Sequence, residues 1–548
     1  MSVRFLGAAL ATLAFVSTAH SQPKTSQPST TPTFSPEAVK ADITFLADDL
    51  LEGRDAGSRG YDIASRFVAA RFEALSLKQA VQDSWFQPVT LSFSTLDKSK
   101  TPVLTIGGAT FPNGGDTIIG PFGREPNQAL EAQAVFVGFG LESAREGVDD
   151  YAGLDVKGKY VVALSGSPVG MPSEIGAHLA AEKSIVAERH GAIGLITLPT
   201  IAQLQRRSWD RTKEMSDSPS VTWIDTDGQP YVRAPGIRGS AMVNGAAADA
   251  LFAGSGKSVA ALRAAAAKKG ARIKGFALKP LVKIARTSTV TTQKSQNVVA
   301  ILPGSDPALA NEYVLLMAHL DHIGVKPDAK GADKIYNGAM DNASGIATML
   351  AVAKAFADNG TAPKRSILFA AVTAEEKGLL GAQYLARHPI VPAGGKVVGV
   401  VNLDMPILTY DFQDLVAFGA EHSTLGPIVE RAAKSAGIAL SPDPLPAEGL
   451  FTRSDHYRFV QEGVPSVFLM TGFAGPGKAA FEQFLKTDYH QPSDQIDLPF
   501  HWKAAAKFAQ VNYLIAREIA DAPTAPLWYA KDFFGDSFAP NASKAPQP

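Results

Sequence analysis

The protein has 548 residues, of which 45% are hydrophobic and 19% charged; this length exceeds the ~100–200 residues of one ordinary domain, and the composition excludes a disordered chain. Its 52 basic and 53 acidic residues give a formal net charge of -1, which does not favour binding to nucleic acid or to an acidic membrane surface. The absence of cysteine excludes disulfides and thiolate metal sites, and it leaves carboxylates and imidazoles as metal ligands.

The N-terminus has the layout of a secretory signal peptide over residues 1–21. Arg4 precedes an apolar run, and Ala19 and Ser21 offer small residues at a cleavage site. The run is shorter than the ~20 apolar residues that span a membrane, and no later stretch reaches that length. We therefore expect a secreted or periplasmic protein without a membrane span. Residues 22–34 are rich in Pro, Ser and Thr and are predicted to form a flexible leader.

Residues 35–124 are predicted to form the first part of the main domain. Ser35 followed by Pro36 is a typical helix start, because serine caps the free amides and proline suits the first helical position. A second helix is predicted over 61–75, and strand-like segments follow to about residue 122.

Residues 125–275 are predicted to form a separate insert. An apolar strand over 132–140 ends in glycine, and a turn-rich loop leads to a second strand that ends near residue 164. A helix over 178–190 then precedes the apolar segment 191–196. This order resembles the protease-associated domain, a small β-rich insert found in several exopeptidases.

Residues 276–521 alternate between apolar runs and helical stretches, and residues 522–548 form a Pro-rich tail that we expect to lie irregularly over the surface. The predicted strands are 298–302, 313–320, 367–373, 397–403, 415–418 and 466–471. The predicted helices are 344–358, 377–388, 423–436, 456–462 and 500–520. This alternation predicts an α/β fold with a mostly parallel, doubly wound sheet, whose sites lie beyond the carboxyl ends of the strands.

Polar residues cluster where these strands should end. The clusters are His-Leu-Asp-His at 319–322, Asp-Asn-Ala-Ser-Gly at 341–345, Glu-Glu-Lys-Gly at 375–378, Leu-Asp at 403–404 and Tyr-His-Gln-Pro-Ser-Asp at 489–494. Each alone is typical of a helix cap or a solvated charge. One histidine or carboxylate from each cluster would give two imidazoles and three carboxylates, which suit Zn²⁺ and tolerate Co²⁺ or Mn²⁺. Two such ions ~3.5–4 Å apart can activate a shared water, provided that another carboxylate stays free to take its proton.

These motifs resemble those of peptidase family M28, the secreted co-catalytic zinc exopeptidases, over residues 35–120 and 285–520. The resemblance implies the zinc-exopeptidase (phosphorylase/hydrolase-like) fold, two Zn²⁺ ions per chain and peptide substrates. It also implies a set of metal ligands. These are His319 and Asp404 on one ion, Glu376 and His490 on the other, and Asp341 as the bridge between them.

The resemblance extends to residues around the ligands. Glu375 matches the general base, and Tyr489 matches a donor to the oxyanion. Asp321 resembles a carboxylate that orients a metal-bound histidine, and Asp494 is a second residue of that type. The peptide bond between Asp341 and the following asparagine is often cis in this family.

The expected activity is that of an aminopeptidase, with three alternatives. Arg453 and Asp455 belong to a segment that borders the substrate pocket in the family, although an aspartate at a helix start is also an ordinary cap. A carboxypeptidase or dipeptidase would need a cation such as Arg453 for the substrate carboxylate. A receptor-like homologue would lack ligands, and none is missing. A serine hydrolase is disfavoured because no Gly-x-Ser-x-Gly motif is seen. His322 is expected to be structural.

Overall fold

The computed structural model describes residue 1 and residues 32–548. The predicted signal peptide beyond its first residue, and most of the predicted leader, lie outside the described residues. Within the part that the structure describes, no helix combines the length and the apolar character needed to cross a membrane.

The first described segment starts with two helices. Ser35 accepts a hydrogen bond from the amide of Ala38 at 3.1 Å, and Pro36 follows it, so the first helix begins as the sequence predicts. The elements of this segment are α1 Pro36–Leu46, α2 Arg59–Ala74, β1 Lys78–Gln79 and β2 Phe86–Leu96.

The middle of the chain alternates short strands and short helices. The strands are β3 Val103–Ile106, β4 Ala109–Pro112, β5 Thr117–Ile119, β6 Asn127–Phe136, β7 Glu142–Ser143, β8 Val148–Asp149, β9 Tyr160–Leu164, β10 Gly194–Leu198, β11 Ser220–Trp223 and β12 Gly239–Val243. The helices are α3 Ser173–Ala181, α4 Lys183–Arg189, α5 Ile201–Arg206, α6 Trp209–Lys213, α7 Gly245–Leu251 and α8 Val259–Ala266. The single helix predicted over 178–190 is thus two helices, α3 and α4.

The remaining residues build most of the main sheet. The strands of this segment are β13 Phe276–Leu302, β14 Glu312–His319, β15 Gly324–Val325, β16 Ile335–Tyr336, β17 Ser366–Val372, β18 Lys396–Leu403, β19 Asp414–Phe418, β20 Ala439–Ser441 and β21 Ser466–Thr471. Strands β15 and β16 pair with each other in a small separate sheet. The helices are α9 Ser344–Asp358, α10 Leu380–Arg387, α11 Leu425–Ser435, α12 His456–Val460, α13 Gly477–Thr487, α14 Trp502–Asp521 and α15 Phe533–Phe538.

The main sheet is mixed, with a parallel centre. Strands β17, β14, β18 and β21 are parallel neighbours in that order. On the outer sides, β13 runs antiparallel to β17, and β19 runs antiparallel to β21. The predicted α/β fold is confirmed, and the predicted parallel pairing holds for the four central strands.

Helices cover both faces of this sheet. Along β14, Val314, Leu316 and Ala318 pack on the side of α9 and α14, whereas Leu315 and Met317 pack on the side of α10 and α12. Because neither face meets water, the strand is apolar from Tyr313 to Ala318. This explains why the strands appear in the sequence as continuous hydrophobic runs.

Strand β13 links the main sheet to a second one. Its residues 276–287 pair with β6 and β3, and its residues 288–302 pair with β2 and β17. The second sheet also contains β4, β5, β9, β10 and β12. Strands β3 to β5 therefore join the second sheet although they precede the predicted boundary at residue 125, and β11 joins the main sheet through β2.

The C-terminal tail differs from its predicted irregular path over the surface. Trp528 is 2% exposed and Phe534 is fully buried, and α15 lies between residues 533 and 538. The indole of Trp528 donates to the main-chain oxygen of Gly463 at 2.8 Å. Burial of these aromatic rings holds the tail against the body, an effect that its proline content does not reveal.

Candidate metal centre

The central parallel strands carry the predicted polar residues to one edge of the sheet. Strand β14 ends at His319, β18 ends just before Asp404, and Glu375 and Glu376 follow β17. Asp341 lies in the turn that precedes α9, and its peptide bond to the next residue is cis, as expected. Parallel strands end at the same edge, so these side chains meet there.

One imidazole faces two carboxylates at the first position of the site. The Nε2 atom of His319 lies 3.1 Å from Oδ1 of Asp341 and 3.1 Å from Oδ1 of Asp404. The side chain of His319 is almost fully buried, and that of Asp404 is 14% exposed. These three donor atoms face a common point.

A second imidazole faces the other oxygen of the same aspartate. The Nε2 atom of His490 lies 3.2 Å from Oδ2 of Asp341 and 3.3 Å from Oε2 of Glu376. His490 is 35% exposed, so this side of the site is open. Asp341 therefore directs one oxygen to each position, which is the arrangement of a bridging ligand.

His322, expected to be structural, also reaches this second position. Its Nδ1 atom is 2.7 Å from Oε1 of Glu376, but the contact lacks hydrogen-bond geometry and both atoms are without a hydrogen-bond partner among residues 32–548. By distance alone, His322, Asp341 and Glu376 form a candidate metal group. Both imidazoles contact Glu376, His322 at Oε1 and His490 at Oε2, and we retain His490 as the proposed ligand because its Nε2 also lies 3.2 Å from Oδ2 of Asp341.

The donor set fits divalent zinc. Ligand atoms of one tetrahedral zinc with bonds of about 2.0–2.1 Å lie about 3.3 Å apart. The distances from each imidazole Nε2 to its two carboxylate oxygens, 3.1–3.3 Å, are close to this value. Burial lowers the pKa of His319, but the charges of Asp404 and Glu375 outweigh it and raise that pKa well above its usual value. The buried carboxylates thus require positive charge, which two divalent cations would supply.

The two predicted orienting carboxylates hold main-chain atoms instead of imidazoles. Asp321 accepts from the amides of Glu375 and Glu376 at 3.0 and 3.3 Å, and Nδ1 of His319 contacts the main-chain oxygen of Asp321 at 3.0 Å. Asp494 accepts from the amides of Met340 and Asp341 at 2.8 and 3.0 Å. Each carboxylate therefore fixes the turn that carries a ligand.

Arg54 is a further residue of the site, and no feature of the sequence distinguishes it from a solvated arginine. It is 1% exposed and donates to the main-chain oxygens of Leu46, Leu320, Asn337 and Gly338. Burial lowers the pKa of Arg54 to about 10, and the negative charge of Asp494 opposes this shift. Arg54 thus stays cationic at neutral pH and joins the turns on both sides of the ligands.

Glu375 lies at the pocket that opens onto the ligands. Burial raises the pKa of Glu375 well above its usual value, with the charges of Glu376 and Asp404 adding to the effect. The pocket has a volume of about 300 Å³ and is lined by Tyr489 as well as Glu375. Glu375 contacts the pocket directly, and its neighbour Glu376 is turned towards His490.

The two predicted substrate-binding residues occupy different places. Arg453 lines the pocket, and its Nη1 atom lies 3.4 Å from Oε2 of Glu448, another lining residue. Asp455 is fully buried and is not among the lining residues. Burial, together with the charge of Asp404, raises the pKa of Asp455 to about 8.

Ser454, between these two residues, contacts Asp404, one of the proposed ligands. Its hydroxyl donates to Oδ2 of Asp404 at 2.5 Å and accepts from the side-chain amide of Asn402 at 2.7 Å. This contact leaves Oδ1 of Asp404 to face His319.

We expect Ser454→Ala to weaken metal binding by about 10–100-fold, because the loss of a partner behind a ligand typically has that effect. Competition with a chelator measures the affinity. Ser435→Ala is the control, since the Ser435 hydroxyl donates to the main-chain oxygen of Ala432 within its own helix. A loss below about threefold would contradict a positioning role of Ser454.

The sequence of this chain is similar to those of known peptidases. A sequence model of the family described as Peptidase family M28 matches residues 297–516. The chain is 30% identical over 192 residues to Leupeptin-inactivating enzyme 1 of Streptomyces exfoliatus. That alignment covers 34% of this chain and 38% of the relative. It is 29% identical over 211 residues to the "probable leucine aminopeptidase 2" of Aspergillus oryzae, which covers 36% and 39%. The chain therefore aligns with well under half the length of these curated relatives.

A solved structure shows the same fold over nearly the whole length. The aminopeptidase from Aneurinibacillus sp. strain AM-1 is similar to 90% of this chain and 95% of its own, with a TM-score of 0.50 and 20% sequence identity. The matched family segment contains the ends of β14, β17 and β18 and every proposed ligand. The segment from residue 297 to residue 516 is therefore similar to peptidase family M28.

Proposed function

We propose that this protein is a di-zinc aminopeptidase that removes N-terminal residues from peptides. The observation that carries the proposal is the placement of Asp341, whose two carboxylate oxygens face two separate imidazole–carboxylate pairs. Glu375 lies at the same pocket and is not needed as a ligand. The names of the two curated relatives, an enzyme that inactivates leupeptin and a leucine aminopeptidase, agree with peptide hydrolysis.

The proposed ligands divide into two groups around a shared carboxylate. His319 and Asp404 would hold one ion, Glu376 and His490 the other, and Asp341 both. When bound, the ions would lower the pKa of a water molecule and polarise the peptide carbonyl.

The chain's own residues would then carry the proton. Glu375 would accept the proton of the attacking water and return it to the nitrogen of the leaving peptide. Burial raises the pKa of Glu375, and a raised pKa makes a carboxylate a stronger base towards the attacking water. Tyr489, whose hydroxyl-bearing ring stacks on His490 with centroids 3.9 Å apart, lies beside the same pocket.

The pocket favours an aminopeptidase over a carboxypeptidase. The guanidinium of Arg453, the cation expected to bind a substrate carboxylate, is already paired with Glu448. Most of the remaining wall is apolar and is formed by Leu445, Leu450, Phe468, Met470, Phe481 and Leu485. Such a wall would accept an apolar side chain of the substrate. The side of the pocket that carries the proposed metal ligands would face the free amine of the substrate.

The expected result is rapid cleavage of a C-blocked leucyl dipeptide and slow cleavage of its N-blocked counterpart. Both rates are measured on the same preparation before chelation, after chelation, and after zinc is added back. Loss and recovery of activity would support the metal requirement. Faster cleavage of the N-blocked dipeptide would favour the carboxypeptidase alternative, and activity that survives complete metal removal would contradict the proposal.

Export and domain organisation are part of the same proposal. The predicted signal peptide would place the enzyme outside the cytoplasm, in the secreted or periplasmic fraction. The second sheet would correspond to a protease-associated insert. The pairing of β3 to β5 with that sheet favours insert boundaries near residues 97 and 287 over the predicted 125 and 275.

A further inference from the structure

A second imidazole–carboxylate cluster lies outside the metal centre, where three parts of the chain meet. Glu174 is in the first turn of α3, His422 is in the short turn after β19, and Asp532 caps α15. The Nε2 atom of His422 lies 3.1 Å from Oε2 of Glu174 and 4.0 Å from Oε1 of Glu421. Donor atoms of Glu174, Glu421 and His422 all lie within 4.8 Å of one another.

The ring of His422 is held in a fixed orientation. Its Nδ1 atom lies 2.7 Å from Oδ2 of Asp532, and the other oxygen of Asp532 accepts from the amide of Gly535 at 2.7 Å. Phe451 and Phe534 pack against the ring, with centroids 4.8 and 5.0 Å away. Metal-binding histidines are commonly held in this way, with a carboxylate on one nitrogen and the metal on the other.

The charges around His422 are unbalanced. Glu421 and Asp443 line the same cavity of about 440 Å³ as Glu174 and Asp532. A protonated His422 would offset one of these four carboxylates. Arg145 and Lys531 also line the cavity. The Arg145 guanidinium contacts Asp536 at 3.3 Å and the main-chain oxygen of Lys531. The Lys531 ammonium would offset a second of the four carboxylates, which leaves two without a counter-charge. Burial raises the pKa of Asp443, and the charge of Glu174 adds to this effect.

We propose that Glu174, Glu421 and His422 bind a divalent cation of the zinc or manganese type, separate from the metal centre. One imidazole and two carboxylates form a borderline-to-hard ligand set that suits these ions. The site would tie α3, which belongs to the predicted insert, to the body of the protein. The hydroxyl of Ser173, next to Glu174, donates to the main-chain oxygen of Pro446. Pro446 follows Leu445 of the substrate pocket, so the cation would also fix the rim of that pocket.

The test is the zinc content of the full chain. The protein is stripped with a chelator, dialysed against zinc and analysed for bound metal. The proposal expects three equivalents in the unaltered protein and two in His422→Ala and in Glu421→Gln. The latter variant keeps the contacts of His422 with Asp532 and Glu174, so it is expected to fold normally.

His190→Ala is the matched control. His190 also contacts a carboxylate, Glu142, at 2.8 Å, but Arg189 contacts the same carboxylate oxygen at 2.9 Å and already neutralises it. This variant should keep three equivalents. If the unaltered protein binds one equivalent of zinc and Glu421→Gln binds none, the result would support this site and contradict the di-zinc centre. Equal zinc content in Glu421→Gln and the unaltered protein would overturn the proposal and leave His422 as a protonated ion-pair partner.

Discussion

Replacing Glu375 by Gln is expected to lower kcat for peptide hydrolysis by about 10²–10⁴-fold, the usual contribution of a general base. Glutamine has nearly the same shape as glutamate, so the fold and the pocket should persist. It cannot accept the proton of the attacking water. Zinc content should stay unchanged, because the proposed ligands are Glu376 and four other residues, and KM should change little since Glu375 acts on the reacting atoms.

The control for this experiment is Glu482→Gln. Glu482 is 63% exposed and pairs loosely with Lys478 at 3.8 Å, so its loss should leave kcat unchanged. Steady-state kinetics and metal analysis of both variants give the comparison. If Glu375→Gln keeps more than about a third of kcat with its zinc in place, another group must take the proton.

Replacing Arg54 by Leu is expected to reduce the free energy of unfolding by about 3–5 kcal/mol, the usual cost of removing one partner from a buried set of charges. Leucine would remove the side-chain donor to main-chain oxygens of three segments, at Leu46, at Leu320 and at residues 337–338. It would also remove the positive charge that faces Asp494 and Asp321. Urea unfolding of the metal-free protein measures this effect separately from any loss of zinc.

The control for this second variant is Arg211→Leu. Arg211 is 76% exposed and contacts Glu214 at 3.7 Å. Surface pairs of this kind contribute at most about 1 kcal/mol, so the two variants should differ clearly. Equal stability of Arg54→Leu and Arg211→Leu would show that the four main-chain contacts of Arg54 do not hold the site together.

Much of the central fold follows from local sequence patterns. Strand β21 lies at 466–471 and α9 at 344–358, as predicted, because continuous apolar runs and helical spacing are local signals. The antiparallel direction of β13 and β19 was not predicted, since strand direction depends on how distant segments pair. The predicted irregular surface path of the tail is wrong, because composition does not reveal whether a side chain such as Trp528 is buried in the folded protein.

For the residues around the proposed ligands, too, the sequence predicts which residues are present but not which groups they contact. The resemblance indicated Asp321 as a partner of the His319 ring, yet its carboxylate accepts from the amides of Glu375 and Glu376. A side chain's partner depends on distances of a few tenths of an ångström, which no spacing in the sequence encodes. Arg54 was not identified for the same reason, because its contacts reach residues up to 284 positions away.

The amino-acid sequence by itself determined which chemistry is available: no thiolate ligands, and carboxylates and imidazoles placed directly after apolar strands. That placement is local, because a strand and the residue after it are covalently joined. Only the tertiary structure decided that Asp341 faces both His319 and His490, that Arg54 is buried among carboxylates, and that Glu174 meets His422 across 248 positions. These contacts arise from the packing of distant segments, and their geometry exists only once the chain is folded.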